Sequence, residues 1–530
     1  MLKRDSVVRC PGWLILLILL AALCFAPQSF AQAPPGQRAD GNQRPAASSP
    51  KVYVILWFDT EDYLLPADDD ATLRLADWLH REGIRATFKL VGEKARTLER
   101  RGRFDVIEAL KKHEIGYHTD FHSVQPTPAL YLAYLGWDEG VAEFDRRERA
   151  GIDDIKRIFG VTPTCYGQPG SSWAPQSFGA LRKWNMRIYL DAGNHVRLDD
   201  KPHYYCGVLT LYRLAHHVRT SLRGEADLRS TEDRFLKARE QLLAEGGGVA
   251  SIYYHPCEFV HREFWDGVNF RHGANPPRSQ WKLPPAKTPE ESEAAYANFE
   301  GYIRFIKRFP EVQFITATEA AALYADVTRG RVFTQEELLQ IAKSVRPDVT
   351  FQRHGDWAVA PSEIFWLLTQ YLAGPHPANA RVQVRLPDTP YGPPDPGPKL
   401  DEPLEVDADQ FFRTVEDVSG YLRVHNRVPS AVWLGSKAVP PECFLQALGS
   451  VAALRLEGKP IPERISVPQA RLAAADHVAE DDPKLWSWVI FPPNHRAPAM
   501  MALAKRQAWT IKPAILRPEA LSVRASVPPS

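Results

Sequence analysis

Three carboxylates stand within four residues at the end of an apolar run: Val52-Tyr53-Val54-Ile55-Leu56-Trp57 is followed by Phe58-Asp59-Thr60-Glu61-Asp62. A charged cluster on the end of a buried strand needs solvent or a cation to offset desolvation and self-repulsion. A second cluster, Gly116-Tyr117-His118-Thr119-Asp120-Phe121-His122, holds two histidines four apart. On a helical turn that spacing lets both imidazoles reach one ion. Two histidines and one carboxylate are a common ligand set for catalytic zinc, leaving positions open for water and substrate. Two further groups close apolar runs: Asp191 in Leu190-Asp191-Ala192-Gly193 and His255 in Tyr253-Tyr254-His255-Pro256. A histidine at a strand's carboxyl end is well placed to donate a proton.

The elements that must position these groups read as alternating strands and helices. Val52–Trp57, Arg85–Leu90, Ile115–Tyr117, Thr164–Tyr166, Ile188–Leu190, Val249–Tyr254 and Gln313–Ile315 are the apolar or β-branched runs. Amphipathic segments such as Ala71–Glu82, Asp138–Phe159, Thr231–Glu245 and Glu290–Arg308 lie between them. Seven βα units imply parallel strands, because each crossover needs a helix, and hence a barrel or a doubly wound sheet. In either, chemistry sits at the carboxyl ends of the strands.

The rest of the chain bounds the setting. Lys3, Arg4 and Arg9, the apolar run Trp13 to Phe25 and Ala31-Gln32-Ala33 form an export signal over residues 1–33, and a periplasmic or extracellular location is expected. The apolar run is short for a bilayer span, which needs roughly 20 residues. Residues 34–50 are rich in Pro, Gly, Ser and Ala and read as a flexible tether. Cys165, Cys206, Cys257 and Cys443 remain after the signal; their spacings match no zinc knuckle, which leaves buried thiols or one or two disulfides. With 65 basic against 64 acidic residues, there is no basic surplus to hold nucleic acid or anionic lipid. A neutral or weakly charged ligand fits better, and 530 residues can bury more than one core.

After Ala325 two stretches resemble each other 80 residues apart. Thr334, Glu336 and Leu338 correspond to Thr414, Glu416 and Val418, and Ala358-Val359-Ala360-Pro361 corresponds to Ala438-Val439-Pro440-Pro441. Each match precedes an apolar helix-like run, Ile364–Leu372 and Cys443–Leu454. A duplicated, helix-rich unit over 326–530 is expected, its copies stacked and joined by the proline-rich loop Leu386–Pro403.

The order of motifs between 51 and 325 resembles the polysaccharide deacetylases, carbohydrate esterase family 4, with a nodulation-type deacetylase domain. Their Asp-Asp motif is similar to Phe58-Asp59-Thr60-Glu61-Asp62, and their His-Ser/Thr-x-x-His motif to His118-Thr119-Asp120-Phe121-His122. Their Arg-x-Pro motif is approached by Gly167-Gln168-Pro169-Gly170, their late Asp by Asp191 and their Leu-x-His by Tyr253-Tyr254-His255. The stretch Tyr421–Val432, with Pro441-Glu442-Cys443-Phe444, resembles a pseudomurein-binding repeat.

These resemblances imply an α/β fold: a distorted (β/α)7 barrel followed by a smaller, mixed, helix-rich duplicated domain that could hold a cell-wall polymer. They imply a hydrolase that removes acetyl groups from N-acetylated, or O-acetylated, envelope or extracellular polysaccharide. A zinc or other divalent ion would be held by His118, His122 and Asp62, with Glu61 as the alternative carboxylate. It would polarise the acetamide carbonyl and acidify a water. Asp59 would take that water's proton, the oxyanion would lean on a backbone N–H near Gly170, and His255, with Asp191 setting its protonation, would protonate the departing amine. Two departures stand out: Asp59 and Asp62 are not adjacent, and Gly167 stands where the family has an arginine that orients the base. They keep open a catalytically silent glycan-binding protein, or an amidohydrolase acting on a small non-carbohydrate amide.

Overall fold

The computed structural model describes residues 49–212, 214–222, 225–375 and 382–524, so the export signal and most of the tether lie outside the described residues. Its centre is β1 (Val52–Thr60), nine residues buried throughout. A strand that is apolar on both faces can only sit inside a sheet covered on both sides. Accordingly β1 pairs in parallel along one edge with β7 (Gly248–Tyr254), from Val52↔Gly248 to Phe58↔Tyr254. Its other edge is shared: Val52–Ile55 pair with β8 (Val312–Ile315), and Trp57–Thr60 pair with β2 (Thr87–Leu90). Next to β2 lies β3 (Glu114–Tyr117), also parallel.

Beyond β3 the ladder thins. Tyr166 alone bridges Tyr117 to Tyr189 of β4 (Ile188–Leu190), and β4 pairs in parallel with β6 (Val208–Leu211). The hairpin of β5 (His203–Tyr205) with β6 is antiparallel, and Lys512–Pro513 adds to β5 from the far end of the chain. The architecture is therefore mixed α/β with a parallel central sheet. The antiparallel edge has no counterpart in the sequence expectation of repeated βα units.

Helices cover the sheet where the amphipathic segments are: Pro66–Arg81, Trp137–Phe159, Glu225–Ala244 and Pro289–Lys307. Their ends have local causes. Thr288 and Glu291 form a capping box, proline opens the first and last of these helices, and Gly160 closes the second in the left-handed conformation. Phe58 stacks on Phe88 and meets Phe299, which joins the sheet to the helix Pro289–Lys307. Each such ring removed from water contributes about 1.5–3 kcal/mol.

The 80-residue similarity has a structural counterpart. Helix Gln335–Lys343, hairpin 352–359 and helix Pro361–Ala373 are matched by helix Ala408–His425, hairpin 432–439 and helix Pro441–Leu456. Each hairpin turns through a left-handed glycine, Gly355 at φ +63° and Gly435 at φ +64°, a conformation costly for any residue with a Cβ. The copies interlock, with the first helix of each packed on the second helix of the other, around their own apolar core.

The apolar core of the copies begins at Phe333, but not all of the chain after it belongs to that core. Ala474, Val478, Trp486, Met500, Met501, Leu503 and Ile511 belong to the same buried cluster as Val54, Phe88 and Phe178. After the second copy, then, the chain returns to the first body, and the described residues from Ser49 onward form one compact unit. Cys165, Cys206, Cys257 and Cys443 are buried free thiols, which settles the choice that their spacing left open. No described helix is long and apolar enough to cross a membrane.

Candidate metal centre and acid–base site

The sheet delivers Asp59 from β1, Glu61 from just past its end, His118 and His122 from the turn after β3, and Asp191 and His255 from just past the ends of β4 and β7 to one cavity of about 660 Å³. The segment from His118 to His122 is not a helix. Thr119 and His122 are both left-handed, at φ 66° and 55°. Such residues cost of order 1–3 kcal/mol each and persist only where the surroundings over-determine them. Here Gly92 N–H donates to Thr119 O and Glu93 N–H to Asp120 O, Asp120 N–H donates to Glu148 Oε2 at 2.8 Å, and Arg96 pairs with the Asp120 carboxylate at 2.7 Å.

This turn brings the imidazoles together without the helical spacing. Their rings lie 4.9 Å apart. His118 Nδ1 is 3.0 Å from Gly167 O, an acceptor, so that nitrogen carries the proton and Nε2 keeps its lone pair. His122 Nδ1 is 2.6 Å from Ser123 Oγ. Burial holds His118 well below the usual imidazole range and lowers His122 to about 4, so both are neutral at pH 7. Among the described residues both Nε2 atoms are buried without a hydrogen-bond partner.

Glu61 Oε2 faces both nitrogens, 2.8 Å from His122 Nε2 and 3.6 Å from His118 Nε2. A carboxylate oxygen and an imidazole lone pair at that distance need a proton or a cation between them. Burial, with Asp266, Asp59 and Asp62 adding repulsion, pushes the Glu61 carboxyl well above its usual range, although His255 opposes this. One ligand atom each from Glu61, His118 and His122 lie within 4.8 Å of one another, so the donor set fits a divalent ion.

Asp62, the carboxylate that the sequence reading assigned to the ion, points elsewhere. Its Oδ1 accepts from Leu64 N–H at 2.8 Å in the turn before the helix Pro66–Arg81, and its Oδ2 lies 3.3 Å from His261 Nδ1. The strand ends at Thr60, and Asp62 belongs to the turn that leads into the helix Pro66–Arg81, whereas Glu61, the first residue past the strand, lines the cavity with Asp59.

Asp59 is 4% exposed. Its Oδ1 is 2.9 Å from Lys89 Nζ and 3.5 Å from His118 Nδ1, and its Oδ2 is 3.7 Å from His255 Nε2. Burial alone would raise its pKa, but His118, Lys89 and His255 together hold it down at about 2. His255 has the opposite balance: burial would lower it, and Glu61, Glu258 and Asp59 raise it to about 9. Asp191 was expected to set that protonation, yet it binds Lys89 Nζ at 2.8 Å instead. Glu258 takes the expected place. Its Oε2 is 3.6 Å from His255 Nδ1 and 2.6 Å from Arg219.

One wall of the cavity was absent from the sequence reading. Lys484, Leu485, Ser487, Trp488 and Val489 line it beside the metal corner. Trp488 Nε1–H donates to Asp266 Oδ2 at 2.6 Å, its backbone N–H donates to Ser171 Oγ at 3.0 Å, and its ring meets His122 edge-on at 5.2 Å. A Cβ on Gly170 would lie 2.2 Å from the Trp488 ring, so the expected oxyanion corner is roofed by this indole.

No protein-family model matches the chain, and no curated protein does. Solved structures do match. One is a Mycobacterium smegmatis protein assigned as a polysaccharide deacetylase, at 13% identity over 52% of this chain and 90% of that one, TM-score 0.34. A family 4 acetyl xylan esterase from Clostridium thermocellum with a bound cobalt ion matches at 16% identity over 51% and 91%, TM-score 0.25. A CE4 family pseudoenzyme from Bacillus anthracis matches at 13% identity over 51% and 66%, TM-score 0.27. Likenesses this remote carry no argument about activity, which rests on the geometry of the site.

Proposed function

We propose that this chain is a metal-dependent hydrolase that removes acetyl groups from N-acetylated, or O-acetylated, envelope or extracellular polysaccharide. The observation that carries the reading is the convergence of the buried Nε2 atoms of His118 and His122 on the Glu61 carboxylate, with Asp59 and His255 3.7 Å apart beside them. Glu61, His118 and His122 would hold a divalent ion, zinc being the usual choice for this donor set, which supplies a Lewis acid for the acyl carbonyl and lowers the pKa of water. Asp59 accepts a proton from the attacking water through Oδ2, the oxygen that faces His255. His255 gives its proton to the leaving nitrogen as the C–N bond breaks, and acetate and a free amine result. Glu258, anchored by Arg219, keeps that histidine charged and oriented.

The same reading takes residues 1–33 as an export signal and places the protein in the periplasm or outside the cell. It gives the interlocked copies a role in holding envelope polymer, for which the 62% exposed Trp433 on the second hairpin offers a stacking face. The test is acetate release from a panel of N-acetylated oligosaccharides and acetylated xylan by the metal-loaded protein. Turnover on at least one member is expected. A fully metal-loaded protein that binds these glycans and releases no acetate would establish the silent binder instead.

A further inference from the structure

Lys89 occupies a place where an ammonium is expensive. It is the third residue of Thr87-Phe88-Lys89-Leu90, strand β2, and its side chain has no solvent exposure. A buried cation persists only when partners repay its lost hydration. Its Nζ donates to Leu190 O and to Asp191 Oδ2, both at 2.8 Å, forms an ion pair with Asp59 Oδ1 at 2.9 Å and lies 4.2 Å above the Trp57 ring. One ammonium thus ties together the carboxyl ends of β1, β2 and β4. Asp59 and Lys89 are direct partners in the parallel ladder, so the backbone register itself sets them side by side.

The opposite wall is shaped around that ammonium. A Cβ on Gly167 would lie 2.0 Å from Lys89 Nζ, 2.4 Å from Asp191 Oδ2 and 2.7 Å from Leu190 O. Glycine is needed here for the close approach and not for an unusual backbone angle. Gly167 O is also the acceptor that fixes His118 Nδ1, so one residue serves both the imidazole and the ammonium.

We infer that Lys89 is a positioning residue: its ammonium pins Oδ1 of Asp59 and leaves Oδ2 aimed into the cavity, in a space that Gly167 keeps free of any side chain. Without the cation, the buried carboxylates of Asp59 and Asp191 would face each other unscreened, and Asp59 would turn away. The inference rests on Asp59 being the base of the proposed reaction.

The test compares Lys89→Met, Lys89→Ala and Gly167→Ala with the wild type for kcat, KM and bound metal on a soluble N-acetylated oligosaccharide. Lys89→Met is expected to lower kcat by about 10²-fold, the effect of a misplaced reacting group, with KM within about threefold and metal content unchanged. Propylammonium should restore at least tenfold of the kcat lost by Lys89→Ala, saturably, while propanol should not; a purely structural lysine would show no such selectivity. Should neither Lys89 variant fold, Gly167→Ala decides, and kcat at least tenfold lower with metal retained is expected. Wild-type kcat in a folded, metal-loaded Lys89→Met or Gly167→Ala protein would overturn the inference, as would a Lys89→Ala protein indifferent to the amine. Crystallography of Lys89→Met separates this from failure of the functional reading. Asp59 moved to another staggered rotamer supports the positioning even if the wild type releases no acetate, and Asp59 unmoved refutes it.

Discussion

Around the ends of β1, β2, β3 and β4 the protein buries Asp59, Glu61, Lys89, His118, His122 and Asp191 within reach of one another, whereas the interlocked copies from 335 to 456 bury almost nothing ionisable. Among the described residues of that second region Glu363 is the one buried carboxylate, and it faces out of the copies to Lys512 at 2.8 Å, where Asp326 joins the same ammonium. Each buried ion costs several kcal/mol before its partners offset the loss. A fold that gathers these six ionisable groups at strand ends while keeping its repeat apolar has separated chemistry from scaffold. The separation is not by sequence position, however, because residues 473–513 come back to wall the chemical region.

The strongest challenge to that comparison is truncation. A chain ending near Ala325 would lose Trp488, the strand Lys512–Pro513 and the apolar side chains that complete the first core. It should fail to accumulate as folded protein, or fold without measurable turnover on a short acetylated oligosaccharide. Folded, fully active protein would return the C-terminal wall to the status of an appendage. Next in size, Asp59→Asn should cut turnover by roughly 10²–10⁴-fold while leaving metal content near wild type, although it also weakens the pairing of the buried Lys89. A loss of metal in that variant would instead make Asp59 a ligand.

What could be read from the chain follows the physics of strand ends. An abrupt change from apolar to charged residues marks where a buried strand leaves the core, and Asp59, His118, Asp191 and His255, which follow such changes, line one cavity. The choice between Glu61 and Asp62 depends on the turn that follows Thr60, the end of β1, which the sequence pattern does not set. The histidine pair was found by a helical spacing that the turn does not use; two left-handed residues achieve the same meeting. Lys89 carried a signal that went unused, a lysine among Thr87, Phe88 and Leu90 in a fully buried strand. Trp488 and its neighbours carried none, because their place depends on a chain return more than 300 residues beyond Ser171.

The comparison also predicts how acid acts. His113, His195 and His203 are buried and neutral in the first body, lowered by desolvation to about 4, 3 and 4, and no histidine is buried among the described residues of the copies. In the unfolded chain these groups titrate near 6.5, so between about 6.5 and 4 the unfolded state binds more protons and stability falls as pH falls. Each contributes up to about 1.4 kcal/mol per pH unit in that window. A thermal-unfolding series from pH 7 to pH 4 should show a steep drop in Tm, and His113→Gln should make it shallower. A flat Tm across that range would contradict the neutral assignment. Smallest of the effects, Trp433→Ala should leave turnover on a soluble substrate within about twofold and weaken retention on insoluble envelope polymer. Unchanged retention would remove the aromatic face from that role.

The account stands on one corner, Glu61 with His118 and His122, and metal stoichiometry tests it directly. Elemental analysis of the purified wild type should find about one divalent ion per chain, as a three-ligand site requires. Glu61→Gln and the His118→Ala/His122→Ala double variant should lose it, and Asp62→Asn should keep it. Full metal content in Glu61→Gln with loss in Asp62→Asn would contradict the assignment, and full content in the histidine double variant would remove the site altogether.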